Sequence, residues 1–113
     1  MAGQNNNKPL KLKWRPRANL DRQSIAIYLG VECGNPSAAL SAINSIDEAI
    51  RRIRQFPQLG KRVAHERLAN EYRAIQANPY VVYYRITSDA VVIYRVLHQR
   101  QEIAAYELVD IEG

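Results

Sequence analysis

At 113 residues, 47% hydrophobic and 24% charged, the chain has the size and balance of one soluble globular domain rather than a disordered or fibrous segment. No apolar run approaches the ~18 to 20 residues that span a bilayer, and the opening MAGQNNNKPL lacks the apolar core of a signal peptide, so a cytoplasmic protein is expected. A net charge of +5 suits nucleic acid, a ribosome or an acidic protein as partner, and equally a basic surface that serves only solubility.

Residues 1–9 are polar, with three successive asparagines, and read as a disordered tail ahead of one domain over residues 10–113. Leu10, Leu12 and Trp14 alternate with Lys11, Lys13 and Arg15, the period of a strand with one wet face. Pro16 suits the first position of a helix, where its missing N–H costs nothing. Ala18, Ile25, Tyr28 and Leu29 follow at helical spacing until Gly30 and Cys33-Gly34-Asn35 end the run. Asn35-Pro36 starts a second helix with a capping side chain and a proline. Leu40, Ile43, Ile46, Ile50 and Ile53 form its apolar stripe, opposite Asp47, Glu48, Arg51, Arg52 and Arg54. Phe56-Pro57 stops it. Lys61-Arg62 after Gly60 reads as a solvated loop. Three strands then form an antiparallel meander: Tyr72 to Ala77, Tyr80 to Ile86 and Val91 to Leu97, turned at Asn78-Pro79 and Ser88-Asp89. The order strand, helical hairpin, three strands predicts an α+β domain with a small four-stranded sheet. Cys33 has no second cysteine to pair with, and His65 and His98 stand in no ligand spacing, so neither metal nor cofactor is expected.

A two-residue loop at Ser88-Asp89 sets Tyr84 opposite Ile93 and Tyr83 opposite Tyr94. One sheet face then holds Val82, Tyr84, Ile86, Val91, Ile93 and Leu97, with Arg95. The other holds Val81, Tyr83, Arg85, Val92, Tyr94, Val96 and His98. Both are largely apolar, yet one hairpin covers only one of them. The second face therefore waits either for a separate chain laid across it or for the chain's own Ile103 to Ile111.

Several pieces taken together resemble the RelE/ParE toxin superfamily, the toxic halves of bacterial toxin–antitoxin pairs. They are Trp14-x-Pro16-x-Ala18-x-x-Asp21, Ile25-x-x-Tyr28-Leu29 and Phe56-Pro57-Gln58-Leu59-Gly60-Lys61. Tyr72-Arg73, Asn78-Pro79-Tyr80, Tyr84-Arg85 and Val96-Leu97-His98-x-Arg100 complete the set. The resemblance spans residues 10 to 106 and implies a sheet with a helical hairpin on one side. It also implies an antitoxin that wraps the open sheet face and the hairpin. Arg15 departs from the family's usual serine-like cap, and Arg22 from its common leucine.

The superfamily divides by target. RelE-like members cleave mRNA on the ribosome; ParE-like members inhibit DNA gyrase. Cleavage through a 2′-hydroxyl needs a base, cations for the phosphate and an acid. The RelE-like strand lysines fall near Tyr72 and Ala74 here and the central arginine on Val81, so none of the three is basic. Arg100 and Tyr106 match the remaining two groups, and Arg73 replaces a lysine if the register slips. A second nuclease arrangement uses His98 as acid or base, Arg100 as phosphate clamp and Glu102 or Glu107 as partner. The missing bases favour the ParE-like reading, a non-catalytic inhibitor in which Tyr83, Arg85, Tyr94, His98 and Arg100 are partner contacts. A non-toxic member that regulates its operon with the antitoxin is the third reading. Each side chain also has a plain alternative. Arg85 and Arg95 can lay their stems over the sheet, His98 can cap a strand end, and Tyr106 can serve packing.

Overall fold

Lys11–Trp14 forms strand β1, and Pro16 turns the chain at once into helix α1, Pro16–Ile27. This is a computed structural model that describes residues 10–63 and 71–101. Arg15 stands at the N-cap of α1 and makes no capping hydrogen bond with its side chain, as its departure from serine implies. One wide π-turn, Tyr28–Glu32, follows α1. Gly34 then takes a left-handed φ of 61°, which a residue with a Cβ adopts only with strain. Asn35 caps helix α2, Pro36–Gln55, by accepting a hydrogen bond from the Ala38 N–H at 3.0 Å. A short 3-10 turn, Pro57–Leu59, leads to β2 (Lys61–Val63), β3 (Tyr72–Ala77), β4 (Tyr80–Ile86) and β5 (Ala90–His98).

The sheet has five strands in the order β1-β5-β4-β3-β2. β1 lies parallel to β5, and every other pairing is antiparallel. The fifth strand corrects the expected count. Lys61–Val63 pairs with β3 instead of forming a solvated loop. Two of its three residues are charged and exposed, as an edge strand tolerates, so their polarity conceals the strand in the sequence.

Both helices pack on one face of the sheet. The core there joins Ala18, Ala42, Ile46, Ala49, Ile50 and Ile53 to Ile75, Val82, Tyr84, Val91, Ile93 and Val96. Leu12 and Trp14 press against this core from β1, while Lys11 and Lys13 point away. Ion pairs fasten the layers. Arg22 on α1 donates two hydrogen bonds to Asp47 on α2, at 3.1 and 2.7 Å, which gives the arginine in place of a family leucine a bridging task. Arg54 donates to the Leu10 carbonyl at 2.8 Å and ties the end of α2 to the chain entering β1.

The expected pairing of Tyr84 with Ile93 is present, but Tyr83 faces Arg95 rather than Tyr94. A β-bulge inserts one extra residue at this point, so two residues of β5 oppose one of β4. Beyond the bulge the side chains exchange faces. Val96 joins the helix-side core, Leu97 the opposite cluster, and the His98 ring stands edge-on to Tyr80 with centroids 5.6 Å apart.

The second face is closed. Tyr72, Val81, Tyr83, Tyr94 and Leu97 form a cluster there that is buried in the isolated chain, with Tyr83 7% and Tyr94 5% exposed. This overturns the expectation that these tyrosines face water until a partner arrives. Two described side chains contribute to the cover: the guanidinium of Arg15 lies over the Tyr94 ring and that of Arg85 over Tyr72. Residues 1–9, His65, Glu102, the stretch Ile103 to Ile111, Tyr106 and Glu107 lie outside the described residues.

Candidate functional site

The positions that decide between nuclease and binder sit on β3 and β4. Tyr72 is fully buried and Val81 is buried in the same cluster, and the half-buried Ala74, level with Tyr83, packs against that cluster. Tyr72 stacks edge-on against Tyr94, with centroids 5.1 Å apart and rings at 88°. The three positions that would carry cations in a RelE-like nuclease thus form one aromatic and aliphatic surface.

Arg73, the candidate substitute for a lysine, faces the opposite way and is occupied. Its Nη1 donates to the carbonyls of Gly60 and Gln58 at 2.8 and 3.2 Å. The hydroxyl of Tyr84 holds the same loop: it donates to the Pro57 carbonyl at 2.6 Å and accepts from the Gly60 N–H at 2.9 Å. Burial raises the pKa of the Tyr84 phenol, while its bond to Gly60 and the nearby charge of Arg73 work the other way. The phenol therefore stays a donor throughout the neutral range. Arg73 and Tyr84 are clamps on the Pro57–Gly60 turn, the turn that carries the chain from α2 into β2.

At the end of β5, His98 closes a turn. Its Nδ1 accepts a hydrogen bond from the Arg100 N–H at 3.0 Å, and its own N–H donates to the Gln101 side-chain carbonyl at 2.8 Å. With Nδ1 so engaged, the neutral ring carries its proton on Nε2. The strand-cap reading of His98 describes this geometry directly. Arg100 is exposed at the tip of the turn and presents a cation to solvent. Of the five expected partner contacts, Arg100 is exposed and Arg85 and His98 are partly buried, whereas Tyr83 and Tyr94 lie inside.

Arg95 does more than lie along the sheet. Its Nε and Nη2 donate to both carboxylate oxygens of Asp21 on α1, at 2.8 and 3.1 Å. Asp21 also accepts the Val96 N–H at 2.9 Å. β1 ends opposite Ile93, so on that side β5 has no neighbouring strand from there on, and Asp21 accepts the Val96 N–H that β1 leaves unpaired.

Most of the large apolar side chains left to solvent among the described residues are on the helical hairpin, with Phe56 and Leu59 exposed in the turn after α2. Leu20, Ile27, Tyr28 and Val31 on the first helix and its π-turn, and Leu40 on α2, are all more than half exposed, Val31 at 74%. Leu40 thus leaves the buried stripe predicted for α2. The signal lay in the sequence: Leu20, Ile27 and Val31 form a second apolar row beside Ala18 and Ile25, and α1 is apolar on two sides. Among the described residues no helix is long and apolar enough to cross a membrane.

The comparisons agree with this architecture. Residues 12–103 match the family described as the ParE toxin of the type II toxin–antitoxin system parDE. A solved structure described as a chromosomal ParDE toxin–antitoxin system from P. aeruginosa has a similar fold. Its TM-score is 0.64 at 24% identity, and the match covers 79% of this chain and 95% of that one. No curated protein matches the sequence. The chain belongs to the ParE toxin family of type II toxin–antitoxin systems.

Proposed function

We propose that this toxin acts by binding rather than by catalysis, that DNA gyrase in the cytoplasm is its target, and that a cognate antitoxin neutralises it. The observation that carries the non-catalytic reading is the apolar and aromatic character of Tyr72, Ala74 and Val81, of which Tyr72 and Val81 are buried and Ala74 half-buried. Phosphoryl chemistry needs cations and proton carriers aimed at the substrate, and those three positions offer hydrocarbon and one enclosed phenol. Arg73 is bound to backbone carbonyls, and Nδ1 of His98 is engaged in its own turn. Gyrase as target rests on membership of the ParE family together with the absence of a basic residue at positions 72, 74 and 81.

The antitoxin is expected on the helical hairpin. Exposed apolar side chains at Leu20, Ile27, Val31 and Leu40 form the kind of surface that an amphipathic segment covers. The sheet face opposite the helices is already closed in the isolated chain, which favours the hairpin over the sheet as the first point of contact. Purified toxin is tested in two assays, one for gyrase supercoiling and trapped DNA cleavage, one for cuts in ribosome-bound mRNA. Inhibition in the first with silence in the second is expected. Silence in the first sinks the gyrase assignment.

A further inference from the structure

Helix α2 ends in a turn that is held from behind and apolar in front. Arg73 on β3 and Tyr84 on β4 bond the carbonyls of Pro57, Gln58 and Gly60 and the Gly60 N–H. The Leu59 N–H closes the turn on the Phe56 carbonyl at 2.9 Å. Yet the two large apolar side chains of this pinned segment are left to solvent, Phe56 at 65% and Leu59 at 45%. Phe56 and Leu59 are shared walls of two open hollows, of about 470 and 270 Å³. A contact surface whose backbone is fixed in advance loses little freedom when a partner arrives.

The surroundings are cationic. Between Glu48 and Glu66 the chain carries five lysines and arginines and no acid. Arg51 pairs with Glu48, Arg62 with Glu71, and Arg54 donates to the Leu10 carbonyl. Arg52 and Lys61 are exposed and make no ion pair among the described residues. Both line a hollow of about 340 Å³ that Leu59 also walls, so two available cations stand beside the apolar pair. Phe56 lies roughly 24 Å from Leu40 at the helical rise of 1.5 Å per residue, so this surface and the exposed hairpin are at opposite ends of α2.

We propose that the turn from Phe56 to Leu59 is the surface that engages the toxin's target. Its apolar pair enters a slot on an acidic protein surface, whose carboxylates pair with Arg52 and Lys61. This rests on the reading that the toxin acts by binding, and does not depend on the target being gyrase. With the hairpin assigned to the antitoxin, the turn holds the remaining exposed large apolar side chains among the described residues. Charge complementarity selects the occupant. A second copy of this chain, with a net charge of +5, would bring like charges together. Nucleic acid would satisfy the cations but offers duplex edges and phosphates, not an apolar slot, to Phe56 and Leu59.

Two variants of the full chain test this: Phe56→Ser, with Leu59→Ser as a second apolar change, and Arg52→Glu combined with Lys61→Glu. Each is induced in cells without antitoxin and scored for growth arrest. Each is also purified for thermal unfolding and for calorimetric titration with the cognate antitoxin. The expected result is that the toxin level needed for arrest rises by about tenfold or more in both classes, while the unfolding midpoint and the antitoxin affinity stay at their wild-type values. Wild-type arrest in the apolar variants overturns the proposal, and if arrest is lost in the charge variant alone the occupant is nucleic acid. Antitoxin affinity that falls along with arrest makes the antitoxin the occupant and also overturns it, as does a wild-type chain that arrests no growth. The gyrase reading fails separately: variants that lose arrest, beside a wild type that leaves supercoiling untouched, keep this surface and discard that target.

Discussion

Asp21 and Arg95 form a two-bonded ion pair between α1 and β5, enclosed by the sheet edge and the helix, with the Val96 N–H as a third donor to the same carboxylate. The pair sits where β1 ends and the bulged part of β5 would otherwise have an unmade ladder bond. Removing one partner of such a pair leaves an uncompensated buried charge, which costs about 3 to 5 kcal/mol. Asp21→Ala is expected to lose that much in urea unfolding. Asp21→Asn combined with Arg95→Met should cost less than the two single changes added together. Additive losses would show that the two side chains act independently.

Gly60 is fixed by close approach. A Cβ there would stand 2.5 Å from the Tyr84 hydroxyl and 2.8 Å from the Ala74 carbonyl. Gly60→Ala is expected to destabilise the fold by about 1 to 3 kcal/mol, the range for overpacking a well-filled site. Tyr84→Phe leaves the Gly60 N–H without its acceptor and should cost about 1 to 3 kcal/mol. A thermal unfolding midpoint unchanged in both variants would contradict the clamp.

Alkaline pH reports on the same tyrosine. Burial raises the pKa of both Tyr80 and Tyr84. A phenol whose folded value lies above its unfolded value releases its proton more readily from the unfolded chain. Its contribution to stability is complete below about pH 10 and is lost as pH rises from there through the folded value. Stability measured by urea unfolding should therefore fall above about pH 10, and less steeply in Tyr84→Phe. Ultraviolet difference spectra should show part of the tyrosine ionising late, and a single early ionisation would contradict this.

The hairpin surface separates binding from folding. Val31→Lys and Leu40→Lys change exposed positions and should alter stability by no more than about 0.5 kcal/mol. Each should weaken the cognate antitoxin by roughly tenfold or more if it lies near the centre of the interface. Tyr83→Ala, in the buried cluster, should unfold the chain more easily by about 3 to 5 kcal/mol. Calorimetric titration beside thermal unfolding distinguishes the two classes. Unchanged antitoxin affinity in both lysine variants would move the contact off the hairpin.

Much of this was legible in the sequence. Pro16, Asn35-Pro36 and Phe56-Pro57 mark the helix ends because proline's fixed φ and missing N–H suit a helix start and forbid its continuation, and the Asn35 side chain caps. The three meander strands followed from alternation and from two turns. β2 was not legible because Lys61 and Arg62 carry no apolar periodicity. The bulge at Tyr94 was hidden because Val96 and Leu97 are both apolar, so a one-residue shift leaves the pattern intact while exchanging their faces. At the site, the absence of bases at Tyr72, Ala74 and Val81 could be read directly. The closure of that face was one of two readings the sequence left open, and the burial of Tyr83 and Tyr94 in the isolated chain decides for it. The partnership of Asp21 with Arg95 has a separation of 74 residues and left no local trace.

The central claim is that this toxin inhibits by binding, and the paired assay on purified protein tests it most directly. Inhibited supercoiling with trapped cleavage complexes, and intact ribosome-bound mRNA, is the expected result. Cuts in ribosome-bound mRNA that disappear in Arg100→Ala or Tyr106→Ala would contradict it and make the chain a nuclease.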